Sequence, residues 1–229
     1  MLGLISAMTV EMELLAAALE NGSEQYVGGV RYLTGSLWGR DVVLSVCGPG
    51  KVNAALCTQA MILHYRPEAI LNLGVAGSLS DLISIGDVVV GTFAVQHDMD
   101  TTPLGDPPGL ISGINMLRLP LSESLQKKLL SALESIPDLK GFCGGIATGD
   151  QFLHDALRRE KVRHQYDVLC CEMEGGAVAH VCYVNGVPCA IIRAISDNAD
   201  GSSNMDYPKF VKFAAENSVR LVKRFLQDI

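Results

Sequence analysis

The chain has 229 residues, 48% hydrophobic and 19% charged, a composition that excludes a disordered chain and indicates a globular protein with a sizeable core. Eighteen basic and 25 acidic residues give a formal charge of −7, which argues against a broad basic surface for nucleic acid. The first apolar run, residues 2–7, lacks the basic flank of a secretory signal, and no apolar run approaches the roughly 18 residues that cross a bilayer. We therefore expect a cytoplasmic protein that contacts neither nucleic acid nor membrane.

Apolar runs alternate with segments of helical spacing along the whole chain. Strands are predicted at residues 2–7, 28–36, 41–47, 69–73, 87–95, 141–148, 168–171 and 189–195. Helices are predicted at residues 9–19, 52–64, 121–136, 155–164, 175–183 and 207–227. Residues 97–120 are rich in proline and glycine without clear periodicity, which indicates a long surface loop.

This alternation predicts an α/β fold without a linker, so we expect one domain covering residues 1–229. Its architecture should be a three-layer sandwich, with a central mixed β-sheet flanked by helices on both faces. In such sheets, ligands bind beyond the carboxyl ends of the strands. The rule predicts one site, built from residues 7–11, 74–78, 149–153, 171–174 and 193–197. The last two junctions can face one cavity if their strands are parallel neighbours.

Several of these junctions carry acidic residues. Glu11 lies in the first turn of a helix, where the helix dipole favours an acid, but its place after a strand equally suits a functional role. Glu172 and Glu174 directly follow an apolar strand. Paired carboxylates suit a vicinal diol such as that of a ribose, whereas acids near a helix start are also ordinary.

Arg193 interrupts an apolar strand, so its charge must be paired or must lie at the edge of the site. Asp197 follows four residues later. Two interpretations are open: the two residues form a structural ion pair, or Asp197 works as a general acid or base.

Other motifs give weaker signals. Residues 47–52, CGPGKV, lack the upstream glycine and the hydroxyl residue of a phosphate loop, and Asn53 breaks the dinucleotide-binding pattern. The segment is better explained as a tight turn that leads into a helix near a ligand. His97, Asp98 and Asp100 lack a supporting second histidine group, so we expect turn or pocket residues and no metal. The seven cysteines contain no C-x-x-C pair, which favours buried, reduced thiols over a catalytic cysteine.

Six spaced motifs together resemble the nucleoside phosphorylase superfamily, and within it the 5′-methylthioadenosine/S-adenosylhomocysteine nucleosidases. These motifs are AMTVE at 7–11, GPGKVN at 48–53, GVAG at 74–77, TGDQF at 148–152, EME at 172–174 and RAISD at 193–197. The resemblance implies a homodimer that needs no cofactor and hydrolyses 5′-substituted adenosines, in methionine salvage and nucleoside catabolism. The substrates would be 5′-methylthioadenosine, S-adenosylhomocysteine or 5′-deoxyadenosine, and the products adenine and the 5′-substituted ribose.

The resemblance also implies residue roles. Glu11 would position and polarise the attacking water, and Asp197 would protonate N7 of adenine. Ser196 would orient Asp197, and Arg193 would support the water network. Glu11 and Asp197 would be the catalytic residues, with Arg193 and Ser196 in support.

Further residues would bind the substrate. Met173 and Glu174 would hold the ribose hydroxyls, Phe152 would stack on the purine, and the backbone of Leu153 would read its Watson–Crick edge. The remaining contacts implied are those of the turn residues Val75, Ala76 and Gly77, the 5′-pocket residues Met8, Pro49, Met173 and Tyr207, and the partner subunit's pocket residues, equivalent to Thr101 and Leu104.

Alternatives remain open. A purine nucleoside phosphorylase, an aminodeoxyfutalosine nucleosidase and a nucleoside-binding module without turnover all share parts of this pattern. Asn72 and Val75 stand where the hexameric phosphorylases of the superfamily place an arginine and a serine, and Glu11 would repel phosphate, so water is the expected nucleophile. Val75 also replaces a serine common in the nucleosidases. The proline-rich loop 101–114 departs from that of some relatives and leaves the preferred 5′ substituent open.

Overall fold

The computed structural model describes residues 1–197 and 203–228, with the side chains of residues 203–209 left out of the description. The strands are β1 (Leu2–Ser6), β2 (Glu20–Val27), β3 (Val30–Leu37), β4 (Arg40–Val46), β5 (Ala69–Ser78), β6 (Val88–Gln96), β7 (Leu119–Pro120), β8 (Gly141–Thr148), β9 (Val168–Glu172) and β10 (Cys189–Asp197). The helices are α1 (Thr9–Ala17), α2 (Lys51–Tyr65), α3 (Glu123–Glu134), α4 (Ala156–Tyr166), α5 (Gly175–Asn185) and α6 (Ser203–Asp228). Every predicted helix and strand is confirmed, with its ends displaced by a few residues. Among the described residues, no helix has both the length and the apolar character that a membrane span requires.

The strands form one mixed sheet, as predicted. β1 runs parallel to β4 and β5, and β2, β3 and β4 form an antiparallel meander at one edge. β5 is parallel to β10, which is antiparallel to β6, and β6, β8 and β9 continue in parallel. β9 then returns to β5 in antiparallel orientation. Five strands therefore close into a ring, from which β1 to β4 extend as an open sheet.

Alternate residues of the inner strands face opposite helix layers, because successive side chains of a strand point to opposite faces. Leu4, Leu44 and Leu71 belong to a core cluster that also contains Leu15 of α1, Leu129 of α3 and Phe225 of α6. Their neighbours Ile5, Val43 and Ile70 belong to a second cluster with Met61 of α2 and Val178 of α5. This arrangement confirms the three-layer sandwich.

The strand β2 was not predicted. Its residues, ENGSEQYV, are exposed on both faces except for the half-buried Val27. A strand that buries neither face shows no alternation of hydrophobic and polar residues, so the sequence pattern does not indicate a strand at β2. Its pairing with β3 defines the strand instead.

β9 and β10 are not parallel neighbours, the condition under which their junctions were expected to share a cavity. The two strands do not pair with each other; β5 lies between them, parallel to β10 and antiparallel to β9. Gly77 of β5 pairs with Asp197 on one side and with Cys171 on the other. The ends of both strands still reach one cavity, because they meet at the same residue of β5.

The predicted loop at 97–120 is only partly irregular. It contains a 3-10 turn at Thr102–Leu104, an isolated bridge between Ile111 and Met116, and the short strand β7, which pairs with β6. Ile111 and Leu119 are buried, so the loop is anchored to the body of the protein at its second half.

Candidate active site

A cavity opens at the ends of β1, β5, β9 and β10. It contains about 530 Å³ of empty space including its mouth, a size that suits a small molecule. The described residues that line it are Ala7, Met8, Glu11, Pro49, Val75, Ala76, Gly77, Phe152, Cys171, Glu172, Met173, Glu174, Ser196 and Asp197. Each of the five predicted junctions contributes to this lining, as the strand-end rule requires.

Glu11 is fixed by backbone amides. The amides of Ala7 and Met8 donate to its Oε2 at 3.0 and 2.8 Å, and the amide of Val75 donates to its Oε1 at 2.9 Å. The side chain is almost fully buried, and this burial raises the pKa of Glu11 despite the opposing effect of the amides and of Arg193. A buried carboxylate with a raised pKa is a stronger base than one in water. The contact with Val75 uses its amide, so the absence of a serine side chain there does not remove it.

Two glycines of β5 give room to the acids. A Cβ atom at Gly74 would lie 2.7 Å from Glu11 Oε1, and one at Gly77 would lie 2.8 Å from Asp197 Oδ2. Both separations are shorter than real Cβ contacts, so any side chain at either position would displace a carboxyl group. The carboxyl groups of Glu11 and Asp197 therefore pack directly against the backbone of β5, at two positions that have no side chain.

Glu174 lies at the start of α5 and points to the turn before α2. The amide of Gly50 donates to Glu174 Oε1 at 2.8 Å. Burial, together with the negative charge of Glu172, raises the pKa of Glu174 to about 7. The amide of Lys51 donates to Asp150 at 2.7 Å, so the turn that leads into α2 lies beside the cavity, as predicted.

Glu172 is a structural residue. Its carboxylate accepts from the amides of Glu174 and Gly175 at 3.0 and 2.7 Å, and from the hydroxyl of Thr148 and the guanidinium of Arg193. Burial alone would raise the pKa of Glu172, but the charge of Arg193 and these donors lower it. The interpretation that Glu172 stabilises the start of α5 is confirmed, and the ion pair with Arg193 adds to it.

Arg193 is 1% exposed and lies behind the cavity wall. Besides Glu172, it contacts Asn72 Oδ1 at 2.5 Å and the carbonyl oxygens of Asn72 and Ile192 at 3.2 and 2.9 Å. The open alternative of an Arg193–Asp197 pair is therefore wrong. Arg193 is also absent from the described lining of the cavity, so it acts on the site through Glu172 and its charge.

Asp197 is paired with Arg159, a residue that the sequence reasoning missed. Arg159 NH2 donates to Asp197 Oδ2 at 2.6 Å, and Ser196 Oγ donates to Asp197 Oδ1 at 2.9 Å, as expected of an orienting serine. Arg159 lies in α4 within the charged run RREKVRH, which reads as a solvated helix face. Its spacing from Val162 and Tyr166, three and seven residues on, was the available signal, because all three are buried.

The remaining predicted residues lie around this centre. Leu153 and Arg159 line a small extension of the cavity, next to Phe152 and Asp197. Thr101 and Leu104 lie outside the described lining; Leu104 is 84% exposed. The side chain of Tyr207 lies outside the described residues.

The weaker motifs have ordinary roles. Asp98 pairs with Lys51 at 2.7 Å and accepts from the amide of Asp150, and Asp100 caps the turn at Thr102. No cluster of metal-binding side chains is found among the described residues. All seven cysteines are unpaired, and burial raises the pKa of the cavity residue Cys171 to about 12, which keeps it a thiol.

The sequence and the fold match known proteins over the full chain. The family model described as "Phosphorylase superfamily" matches residues 1–227. The chain belongs to the phosphorylase superfamily. The 5′-methylthioadenosine/S-adenosylhomocysteine nucleosidase of Shewanella sp. (strain MR-7) is 34% identical over 229 residues, which cover 100% of this chain and 97% of that protein.

Solved members of the phosphorylase superfamily share this architecture. The nucleosidase of the same description from Neisseria meningitidis, in complex with methylthio-immucillin-A, has a TM-score of 0.95 at 32% identity and covers 100% of this chain and 99% of its own. A futalosine hydrolase of Helicobacter pylori has a TM-score of 0.94 at 32% identity and covers 100% of this chain and 97% of its own. The resemblance inferred from the six motifs is thereby confirmed.

Proposed function

We propose that this member of the phosphorylase superfamily hydrolyses the N-glycosidic bond of 5′-substituted adenosines, including 5′-methylthioadenosine and S-adenosylhomocysteine. The products are adenine and the 5′-substituted ribose. The observation that carries the proposal is the pair of buried carboxyl groups, Glu11 and Asp197, which pack on Gly74 and Gly77 of one strand within a single cavity. With this activity the protein would serve methionine salvage in the cytoplasm.

Glu11 is the group that prepares the water. Cleavage of the bond between C1′ and the base develops positive charge on the ribosyl ring, which a nearby carboxylate stabilises. Three backbone amides hold Glu11 in place, so little reorganisation accompanies the reaction. Glu11 orients a water molecule toward C1′ and accepts its proton as the new C–O bond forms.

Asp197 is the group that serves the base. The departing adenine takes the electron pair of the broken bond, and a proton delivered to N7 neutralises it. Arg159 donates to Asp197 Oδ2 and Ser196 donates to Oδ1, so both oxygens of this carboxyl group are held in a fixed orientation beside the cavity.

Glu174 is the group that binds the sugar. Only Gly50 donates to its carboxylate among the described residues, so acceptor capacity remains for ribose hydroxyls. Met173 lies beside it in the cavity wall, and Phe152 offers a face for the purine. These placements support the roles implied by the resemblance.

Water is favoured over phosphate as the nucleophile. The described lining of the main cavity contains Glu11, Glu172, Glu174 and Asp197 but no lysine or arginine. Asn72 is committed to Arg193 and to the carbonyl of Ile5, and it does not line the cavity. Phosphorolysis needs cationic or dense donor groups for its anion, which this wall does not provide.

An exposed apolar stripe on α2 supports a homodimer. Val52, Leu56 and Leu63 recur at helical spacing and are each at least 60% exposed, and Tyr183 and Val184 of the adjacent α5 extend the stripe. Analytical ultracentrifugation should give the mass of a dimer; a monomer at micromolar concentration would contradict this part of the proposal.

The activity is tested by incubating the purified protein with 5′-methylthioadenosine, with and without inorganic phosphate. Release of adenine and unphosphorylated methylthioribose in phosphate-free buffer is the expected result. A strict phosphate requirement would instead identify a phosphorylase. Binding without cleavage would leave only a nucleoside-binding protein.

A further inference from the structure

Asp98 binds both of the turns that carry Pro49 and Phe152, two residues of the cavity wall, although Asp98 is itself absent from the described lining. Lys51 Nζ donates to Asp98 Oδ1 at 2.7 Å, and the amide of Asp150 donates to Asp98 Oδ2 at 2.8 Å. The amide of Lys51 donates in turn to Asp150 Oδ1 at 2.7 Å. These contacts form a closed triangle that joins the turn after β6, the turn before α2 and the turn after β8.

The ion pair in this triangle is largely buried. The side chains of Lys51 and Asp98 are 19% and 14% exposed. Burial alone would raise the pKa of Asp98, but the hydrogen bonds from Lys51 and Asp150 lower it, so Asp98 is ionised at neutral pH. Loss of either partner would leave the other charge partly buried, which is costly. The triangle therefore fixes the three turns relative to one another.

The triangle also determines where Gly50 lies. Gly50 directly precedes Lys51, at the start of α2, and has a φ of 98°. A Cβ atom at Gly50 would lie 3.0 Å from Asp150 Oδ1, so the carboxylate of Asp150 packs closely on this turn. The amide of Gly50 donates to Glu174 Oε1 at 2.8 Å. The contact between Gly50 and Glu174 thus depends on the position of a turn that Asp98 holds.

We propose that Asp98 is a positioning residue, which holds the Gly50 amide on Glu174 and thereby fixes the carboxylate that binds the ribose hydroxyls. Asp98 acts through Lys51 and Asp150 and does not itself contact the nucleoside. This inference rests on the proposed function, since that function assigns the sugar contact to Glu174.

The Gly50 amide also affects the ionisation of Glu174. Burial and the charge of Glu172 raise the pKa of Glu174 to about 7, and the charge of Glu11 adds to this increase. Arg193 and the Gly50 amide act in the opposite direction. Loss of the Gly50 contact should therefore raise this pKa further, so that a smaller fraction of the protein carries the ionised acceptor near neutral pH.

The variant Asp98→Asn tests the assignment with 5′-methylthioadenosine in phosphate-free buffer. The value of kcat/KM at pH 7 should fall about tenfold, chiefly through KM, because the sugar contact is misplaced. Since that contact requires ionised Glu174, the acid limb of the pH profile of kcat/KM should move to higher pH. Removal of a negative charge at position 98 would by itself move this limb to lower pH, so the direction of the shift identifies loss of the Gly50 contact.

A double-mutant cycle separates the positioning of Glu174 from a general structural role. In a Glu174→Ala background the Gly50 amide has no carboxylate to hold, so Asp98→Asn should cost less than about twofold in kcat/KM. Lys51→Met breaks the same ion pair from the other side and enters the same cycle, which keeps the test informative if Asp98→Asn folds poorly. Asp100→Asn makes the matching change at an exposed side chain two residues away and should leave the kinetics unchanged.

The outcomes separate this inference from the proposed function. Equal losses from Asp98→Asn in both backgrounds, or a shift of the acid limb to lower pH, would show that Asp98 only supports the fold. Either result overturns the inference and leaves the proposed activity intact, as do unchanged kinetics in both Asp98→Asn and Lys51→Met. No cleavage of methylthioadenosine by the wild-type protein overturns the proposed function and the inference together.

Discussion

Among the residues that the structure describes, two arginine–carboxylate pairs are buried, and their surroundings differ. Both pairs are 2–3% exposed: Arg193 with Glu172, and Arg159 with Asp197. Glu172 accepts from four donors, of which two are amides at the start of α5. Within the described part of the chain, Asp197 accepts from two side chains, one on each oxygen, and faces the cavity.

The difference lies in the spare acceptor capacity. An ionised carboxylate offers about four acceptor sites, so Glu172 is saturated while Asp197 retains roughly half of its capacity. Burial and pairing alone therefore do not separate a structural acid from one that can receive a ligand. The number of donors already present distinguishes them, and it supports a framework role for Glu172 and the proposed catalytic role of Asp197.

The largest expected effect is on turnover at Asp197. Asp197→Asn keeps the shape and the contact with Ser196 but cannot deliver a proton, so kcat for 5′-methylthioadenosine should fall ~10²–10⁴-fold. KM should change little, because the stacking and ribose contacts remain. Steady-state kinetics in phosphate-free buffer measure both values, with Asp138→Asn at an exposed ion pair as the control. Near-normal turnover would remove Asp197 from the mechanism.

Breaking the Arg193–Glu172 pair should lower the stability of the protein. Glu172→Gln leaves Arg193 without its ionised partner in a fully buried position, and the free energy of unfolding should fall by about 3 kcal/mol. Urea unfolding followed by circular dichroism measures the change. Glu24→Gln, at an exposed pair with Arg31, should leave the midpoint unchanged. Equal midpoints for all three proteins would show that Glu172 is not part of the framework.

Glu174 connects the Arg193–Glu172 pair to the cavity, because the negative charge of Glu172 contributes to the raised pKa of Glu174. With a pKa of about 7 when folded, against 4.5 as the reference value, the folded state binds more protons between these pH values. The contribution of Glu174 to stability is thus fully present below pH 4.5 and is lost as the pH rises through 7. Glu174→Gln should therefore be about 3 kcal/mol more stable than the wild type at pH 8, with the difference vanishing toward pH 4.5.

The same substitution should weaken the sugar contact. Replacing an ionised acceptor by an amide should lower kcat/KM about tenfold or more, chiefly through KM. Thermal melts from pH 4.5 to 8 and kinetics at pH 8 test the two effects. A stability difference that does not vary with pH would show that Glu174 is not the titrating group.

The sequence predicts much of the fold because its strands and helices bury at least one face. β1, β5 and β10 were found as apolar runs, and the five junctions followed from the rule for strand ends. β2 was missed because both of its faces are exposed. The residues of the site were predictable at the strand ends, where Glu11 and Asp197 stand out against apolar neighbours.

The ion-pair partners were not predictable in the same way. Arg193 and Asp197 are four residues apart in one segment, which suggested a pair, yet each binds a residue from another element. Arg159 is separated from Asp197 by 38 positions and belongs to a charged helix. The pairing of each arginine with an acid depends on the order of the strands in the sheet. The local sequence pattern does not determine that order.

The meeting point at Gly77 also ties activity to the folding of the whole chain. β5 is far in sequence from β9 and β10, and Asp197 reaches its position only when β10 is in register with β5. Long-range pairing of this kind is gained and lost cooperatively, so partly unfolded forms that open the ring should be inactive. Catalytic activity should then serve as a sensor of global unfolding, declining at the same urea concentration as the far-ultraviolet circular dichroism signal.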